Sequence, residues 1–314
     1  MEKIYFKNMI IIKIFRKLIL IFKNIIKFFV KRMPRFIAKP LFLFIISLDD
    51  ILLKTRIYLF SIFYGKQHKV SKALKDLKTY GVAIIPNFYN EREVTDMKNS
   101  CIEHLDSLPL ENLKTDEYIS NMKVNINNQE VYLERLGGSL KLKGLNIFFK
   151  DIGKRIEMKL INLIYHLSFR GPFLIYNLTH DGSFKHPAVP MPKTNDEAIA
   201  GKAHVDLYKH RLRCFIALDD VRNDNGPTVY YKNSMNFKEI KENHLNIFLK
   251  DFDFNLDKGG DHYLNEEKKS FLEKKNLKSK LTCKKGDLAL IDLKTAHYGT
   301  LPEKGQRHLL WLYY

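Results

Sequence analysis

The sequence predicts a mainly β fold with packed helices: a double-stranded β-helix (jelly-roll, cupin-like) core that carries an N-terminal helical extension. Three observations lead there. Short apolar, strand-like runs crowd the second half of the chain, at 173–178, 211–218, 228–231, 287–291 and 308–313. Helical apolar spacing dominates the segments before them, and a basic, apolar stretch precedes everything. The 314 residues suffice for one sizeable catalytic domain plus an extension, divided here as 67–314 and 1–66.

The extension comes first. Residues 1–63 are rich in Ile, Leu, Phe, Lys and Arg. On a helical wheel of residues 9–32, Lys13, Arg16, Lys17, Asn24, Lys27 and Lys31 share one side, while Ile12, Phe15, Ile19, Phe22, Ile26 and Phe29 fill much of the rest. That is the pattern of a basic amphipathic helix lying in a membrane interface. Packing on the catalytic domain or on a second subunit is the alternative. No stretch of eighteen apolar residues is free of charge, so a spanning helix is not expected. Lysines interrupt the apolar run and no small-residue cleavage site follows it, which disfavours a secretory leader. Pro34 and Pro40 are expected to separate helical pieces.

Of the formal charge of +18, residues 1–66 contribute +11, from 14 Lys and Arg against 3 acids. The remainder is only mildly basic. The lysines alternate with aliphatics and no reader motif accompanies them, so nucleic acid is excluded as a partner. Cys101, Cys214 and Cys283 are too far apart for a zinc motif or a disulfide framework. They fit a reducing, cytoplasmic compartment, with the extension placing the protein on the inner face of the membrane.

Beyond the extension, Val70–Thr79 reads as a short helix and Val82–Ile85 as a strand. Asn90 caps a helix reaching Leu108, with Glu93 three residues on and Val94, Met97, Cys101 and Leu105 at helical spacing. Val131–Leu136 reads as a strand before a Gly137-Gly138 turn, and Ile147–Phe169 as a helix. A proline-bearing loop, 181–198, forms one wall of the expected site. The charged segment 236–281 has no assigned role.

The chemistry rests on His204-Val205-Asp206, His297 and Arg307. Two imidazoles and a carboxylate cover one face of an iron(II) ion and leave the other positions open. His204 and Asp206 precede an apolar β-like run; on a strand, residues i and i+2 point the same way, with Val205 turned into packing. His297 follows another strand-like run, and an antiparallel arrangement brings it opposite the pair. Arg307 offers a planar fork suited to a carboxylate. A second H-x-D, His104-Leu105-Asp106, falls on the helix after Asn90, where i and i+2 do not share a face; both residues are read as solvated.

These residues, with their neighbours, resemble the phytanoyl-CoA dioxygenase family of Fe(II)/2-oxoglutarate oxygenases. The likeness covers about residues 70–314 and is carried by Tyr80–Tyr89, by Ala203–Asp206, by Ala217–Val221 with Asn225-Gly226-Pro227-Thr228 and Asn233-Ser234, and by Gly286-Asp287 through His297 to Arg307. It implies that His204, Asp206 and His297 hold Fe(II), that Arg307 pairs with the 5-carboxylate of 2-oxoglutarate, and that O₂ is the oxidant. The presence of Asp206 argues against a halogenase. Tyr231-Lys232-Asn233-Ser234-Met235 departs from the family's usual Gly-Ser-His turn. Thr300 and Tyr176 are candidate hydroxyls beside the cosubstrate; Asn177, Lys202, His180, His186 and His210 lie near the site in sequence and are expected to be ordinary polar residues. The expected reaction is hydroxylation of a small-molecule or acyl/lipid-linked substrate. A cupin-like metalloprotein without a 2-oxoacid, and a non-catalytic membrane-surface or scaffold protein, are the competing readings.

Overall fold

Helix signals in the sequence are met by matching hydrogen bonds. The computed structural model describes residues 34–108, 119–136, 138–152, 155–166, 172–189, 201–252 and 263–314; the expected helix at 9–32 lies outside them. Its helices are α1 (Arg35–Tyr64), α2 (Lys69–Tyr80), α3 (Glu91–Asp106), α4 (Ile156–His166), α5 (Lys238–Phe252) and α6 (Glu266–Lys274). The capping box is present at α3: the Asn90 side chain accepts from Glu93 N–H at 2.9 Å, and the Glu93 carboxylate accepts from Asn90 N–H at 2.8 Å.

The strands are β1 (Val82–Ile85), β2 (Ile119–Ile126), β3 (Gln129–Leu136), β4 (Ser139–Lys143), β5 (Phe173–His180), β6 (Leu212–Ala217), β7 (Thr228–Tyr231), β8 (Lys278–Leu281), β9 (Leu288–Asp292), β10 (His297–Tyr298) and β11 (Gln306–Tyr313). They form an eight-stranded antiparallel sheet, β1-β9-β6-β11-β5-β4-β3-β2, and a three-stranded one, β10-β7-β8. An isolated antiparallel bridge between His204 and His297 adds the H-x-D segment to the smaller sheet. Four lines of that sheet then face β9-β6-β11-β5, the jelly-roll core expected of the chain.

Residues opposite each other in an antiparallel ladder project to the same face. On the large sheet, Tyr176, Leu178, Leu310 and Leu312 join Cys214 and Ile216 on the face covered by α2, α3 and α4, where the largest apolar cluster lies. Phe215, Ala217, Ala289 and Leu309 project the other way and meet Tyr230, Leu281 and Cys283 of the small-sheet side. A further cluster joins Phe42 and Ile46 of α1 to Val205, Tyr208, Phe248 and Leu272.

Several expectations need correction. Pro40 does not divide the extension: α1 runs through it. Proline removes one hydrogen bond near the N-terminal end, and burial of Phe42, Ile46, Leu53, Ile57 and Phe60 outweighs that loss. Among the described residues, the helix expected over 147–169 is an α-helix at Ile156–His166, preceded by a 3-10 turn at Leu145–Ile147. Segment 236–281 holds α5, α6 and β8 among its described residues. His104 is buried, its ring 3.9 Å from that of Phe148, whereas Asp106 is exposed as expected.

Candidate metal centre

The backbone brings the triad together. His204 N–H donates to the His297 carbonyl at 3.0 Å, and His297 N–H donates to the His204 carbonyl at 2.9 Å. The strand expected over His204–Asp206 is realised only as isolated bridges of His204, to His297 and to Tyr263. Asp206 N–H donates to the Leu293 carbonyl at 3.1 Å, which holds the carboxylate above the same strand end. Val205 between them is fully buried.

The side chains converge as the spacing suggests. His204 Nε2 lies 3.6 Å from Asp206 Oδ1, and His297 Nε2 lies 3.5 Å from Asp206 Oδ2. All three ligand atoms fall within 4.8 Å of one another. Ligands sharing one ion at bond lengths near 2 Å sit roughly 3 to 3.5 Å apart. The rings are also pre-set. His204 Nδ1 is 2.8 Å from the Lys202 carbonyl and His297 Nδ1 is 2.9 Å from the Thr295 carbonyl. A carbonyl only accepts, so each Nδ1 carries a proton and Nε2 is the ring nitrogen left to face the common point as a ligand. Burial pushes the His297 imidazole down to about 4, against the pull of Asp206, so the ring is neutral near pH 7.

Two residues that sequence reasoning missed support the triad. Arg213 of β6 places Nη2 3.2 Å from Asp206 Oδ2 and lies over the Tyr313 ring at 4.5 Å. Burial lowers its pKa, but Asp206 and Tyr313 raise it more, so the net direction is up. Its position two residues before Phe215 on a strand was the available signal. His210, expected to be an ordinary polar residue, is the centre of a buried ion network. Its Nδ1 bonds Asp292, its Nε2 lies 2.6 Å from Asp50 Oδ1, and its N–H donates to Asp49 at 2.7 Å. Lys294 Nζ reaches the same Asp50 oxygen at 2.9 Å. Burial opposes charge on His210, but Asp292 and Asp50 raise it to about 9. The network ties α1 to the two segments that carry Asp206 and His297.

Arg307 projects from β11 into the jelly-roll interior, on the face shared by Thr179, Asn177 and Leu309. It is buried, and its Nε and Nη1 have no hydrogen-bond partner among the described residues. Burial lowers its pKa to about 10, partly offset by Cys283. A buried guanidinium with unused donors calls for an anion.

Tyr176 does not join it. Register places Tyr176 beside Leu310, on the opposite face of the sheet, where its hydroxyl bonds His308 Nδ1 at 2.7 Å. Its nomination as a cosubstrate hydroxyl is therefore corrected. Thr300 donates to the Pro227 carbonyl at 2.7 Å, so its hydroxyl proton serves the Asn225-Gly226-Pro227 turn. Gly226 there has φ 81, and a Cβ would stand 2.8 Å from the Thr300 carbonyl oxygen. Asn233 adopts φ 57, the left-handed conformation that Asn tolerates, and Ser234 Oγ accepts from Ala296 N–H at 2.8 Å. Lys202 contributes its carbonyl and Asn177 bonds Ser139 at 2.9 Å. His180 and His186 accept backbone N–H groups of Gly182 and Ala188 in local turns.

No family model matches the chain, and no curated protein does so in sequence. Solved structures share its general shape at low similarity. The non-heme alpha-ketoglutarate-dependent carbocyclase SnoK from nogalamycin biosynthesis has a TM-score of 0.43 and 16% identity, over 77% of this chain and 81% of that one. The epimerase SnoN in complex with Fe3+, alpha ketoglutarate and nogalamycin RO gives 0.46 and 10%, over 77% and 82%. HygX from Streptomyces hygroscopicus with nickel and 2-oxoglutarate bound gives 0.43 and 13%, over 77% and 85%.

Proposed function

We propose that the chain is an Fe(II)/2-oxoglutarate-dependent dioxygenase that hydroxylates a C–H bond, with decarboxylation of 2-oxoglutarate to succinate. The observation that carries this reading is the pairing of a converged two-histidine, one-carboxylate set with a buried, unsatisfied arginine on the wall of the same jelly roll. The residues fit both groups. The donor set of two imidazoles and one carboxylate suits iron(II). Arg307 offers its free Nε and Nη1 to the distal carboxylate of a 2-oxoacid.

When bound, the iron and the 2-oxoacid supply the activation of O₂. The chain's residues do the rest. The Lys202 and Thr295 carbonyls fix the two imidazoles in one tautomer. Arg213 holds Asp206 in place. Arg307 orients the cosubstrate, and the apolar lining from Leu309, Phe215 and Ala217 keeps water from the interior.

Within that class the sequence resembles the phytanoyl-CoA dioxygenase family, and we assign residues 67–314 as the dioxygenase domain with 1–66 as its extension. The substrate is a small molecule or an acyl/lipid-linked one, and the enzyme is cytoplasmic and peripheral on the inner face of the membrane. Among the described residues no helix is long and apolar enough to cross a membrane.

Anaerobic titration of the Fe(II)-reconstituted protein with 2-oxoglutarate tests the proposal. A weak visible charge-transfer band that disappears in His204→Ala supports it. Normal iron binding without the band would point to a different metalloprotein; no iron binding would leave the non-catalytic reading.

A further inference from the structure

Helix α1 has two faces of opposite kind. Its inward face buries Phe42, Leu53 and Phe60 and hands Asp49 and Asp50 to the His210 network. Its outward face is apolar over nearly its whole length. Phe36 is 77% exposed, Tyr58 65% and Phe63 79%, with Phe44, Ile51 and Ile62 between them. Thirty residues of helix make a stripe about 45 Å long. Apolar residues scattered singly on a surface are ordinary, but a continuous stripe marks an interaction surface.

We propose that this outward face of α1 is where the folded protein lies on an anionic lipid bilayer. Charge selects the occupant. Lys39 and Lys54 are the exposed charges on the described part of the helix, and both of its acids point inward. Residues 1–33 add nine Lys and Arg against one acid. A second copy packed on the stripe would set lysine against lysine with no acid to answer. Anionic headgroups satisfy the lysines while the acyl boundary takes the Phe, Ile and Tyr side chains. Because the network grips the segments bearing Asp206 and His297, docking fixes the triad at one height and orientation over the membrane. Resting on the oxygenase reading, that favours an amphiphilic substrate drawn from the bilayer; the docking itself does not depend on iron.

The three native cysteines are buried, so an environment-sensitive fluorophore can be directed to Phe44→Cys or Ile51→Cys in the full chain. Glu130→Cys, on the β2–β3 hairpin at the opposite edge of the large sheet, is the control. The expected result with phosphatidylglycerol-containing vesicles is a blue shift at 44 and 51, quenching there by brominated lipid, and no change at 130. Binding should be more than tenfold weaker on phosphatidylcholine alone. Vesicle binding without a response at 44 and 51 would overturn the proposal, as would a lipid-independent dimer with the two labels in contact. The double variant Ile51→Glu/Leu59→Glu should lose vesicle binding yet keep the 2-oxoglutarate charge-transfer band, which separates failure of the docking surface from failure of the oxygenase reading.

Discussion

His204 and His297 exchange both of their backbone hydrogen bonds, at 3.0 and 2.9 Å, and their ring centres stand 4.6 Å apart. A single antiparallel bridge therefore sets the separation of two candidate ligands that are 93 residues apart in sequence. The third member, Asp206, is held through its backbone N–H by Leu293 and ion-paired with Arg213 at 3.2 Å.

Removing the ligands and removing their support should be distinguishable. His297→Ala and Asp206→Ala are expected to abolish tight Fe(II) binding. Arg213→Met keeps the volume but frees the carboxylate, and Fe(II) affinity should fall by roughly 10- to 100-fold, the usual effect of losing a residue that orients a ligand. Anaerobic competition with a chelator measures both, and wild-type affinity in Arg213→Met would refute the orienting role.

Arg307 is an electrostatic liability until an anion arrives. Arg307→Met should leave the apo protein as stable as wild type or more so, because an unpaired buried charge is removed. At about 100 times its dissociation constant, 2-oxoglutarate should stabilise the Fe(II)-loaded wild type by about 2.7 kcal/mol, and the variant hardly at all. Thermal melts with and without the 2-oxoacid show the difference. Equal shifts in the two proteins would rule out Arg307 as the anchor.

The apo protein should be most stable near pH 6 to 7. On the alkaline side, His210 has a folded pKa raised to about 9 from an unfolded 6.5. Its contribution is complete below 6.5 and is lost as pH rises through 9. On the acid side, His297 has a folded pKa lowered to about 4, so its contribution is present above 6.5 and is lost as pH falls through 4. His210→Gln should flatten the alkaline limb alone. A melting-temperature profile that keeps that limb in the variant would contradict the assignment.

Gly81 backs the loop that holds His297. It sits at φ 85, and a Cβ would stand 2.0 Å from Thr295 Oγ1. Gly81→Ala must push Thr295 away, and the Thr295 carbonyl is the partner of His297 Nδ1. The expected cost is about 2 to 4 kcal/mol, together with weakened iron binding. Denaturant unfolding and metal titration test the two effects separately, and a variant as stable as wild type would show that the loop moves freely.

The residues that signal through local spacing were legible. The i, i+2 geometry of His204 and Asp206, the Asn90–Glu93 capping box and the Asn-Gly-Pro turn each act over a few positions. His210 was not legible as a support, and Arg213 only through its place two residues before Phe215 on a strand. His210 meets Asp50 across 160 residues and Asp292 across 82, and nothing local marks it. Tyr176 was misassigned because β5 is buried on both faces from Leu174 to His180. Alternation gives no hint of which face is the interior, and only the register with β11 decides it. Among its described side chains, helix α5 buries the apolar residues Ile240, Ile247 and Phe248, with Leu245 and Leu249 partly covered, and the intervening lysines and acids hide that stripe in a charged insert.

The strand order has a consequence for how the protein is made. β11 lies between β5 and β6, and β1 pairs with β9 across some two hundred residues. Until residues 306–313 leave the ribosome, β5 and β6 have no common neighbour, and the wall that bears Arg307 does not exist. Closure of the jelly roll therefore waits for β11 and is an event of high contact order. The open edges of β5 and β6 must wait for it unpaired, so a chaperone that covers them is expected to raise the yield of soluble material.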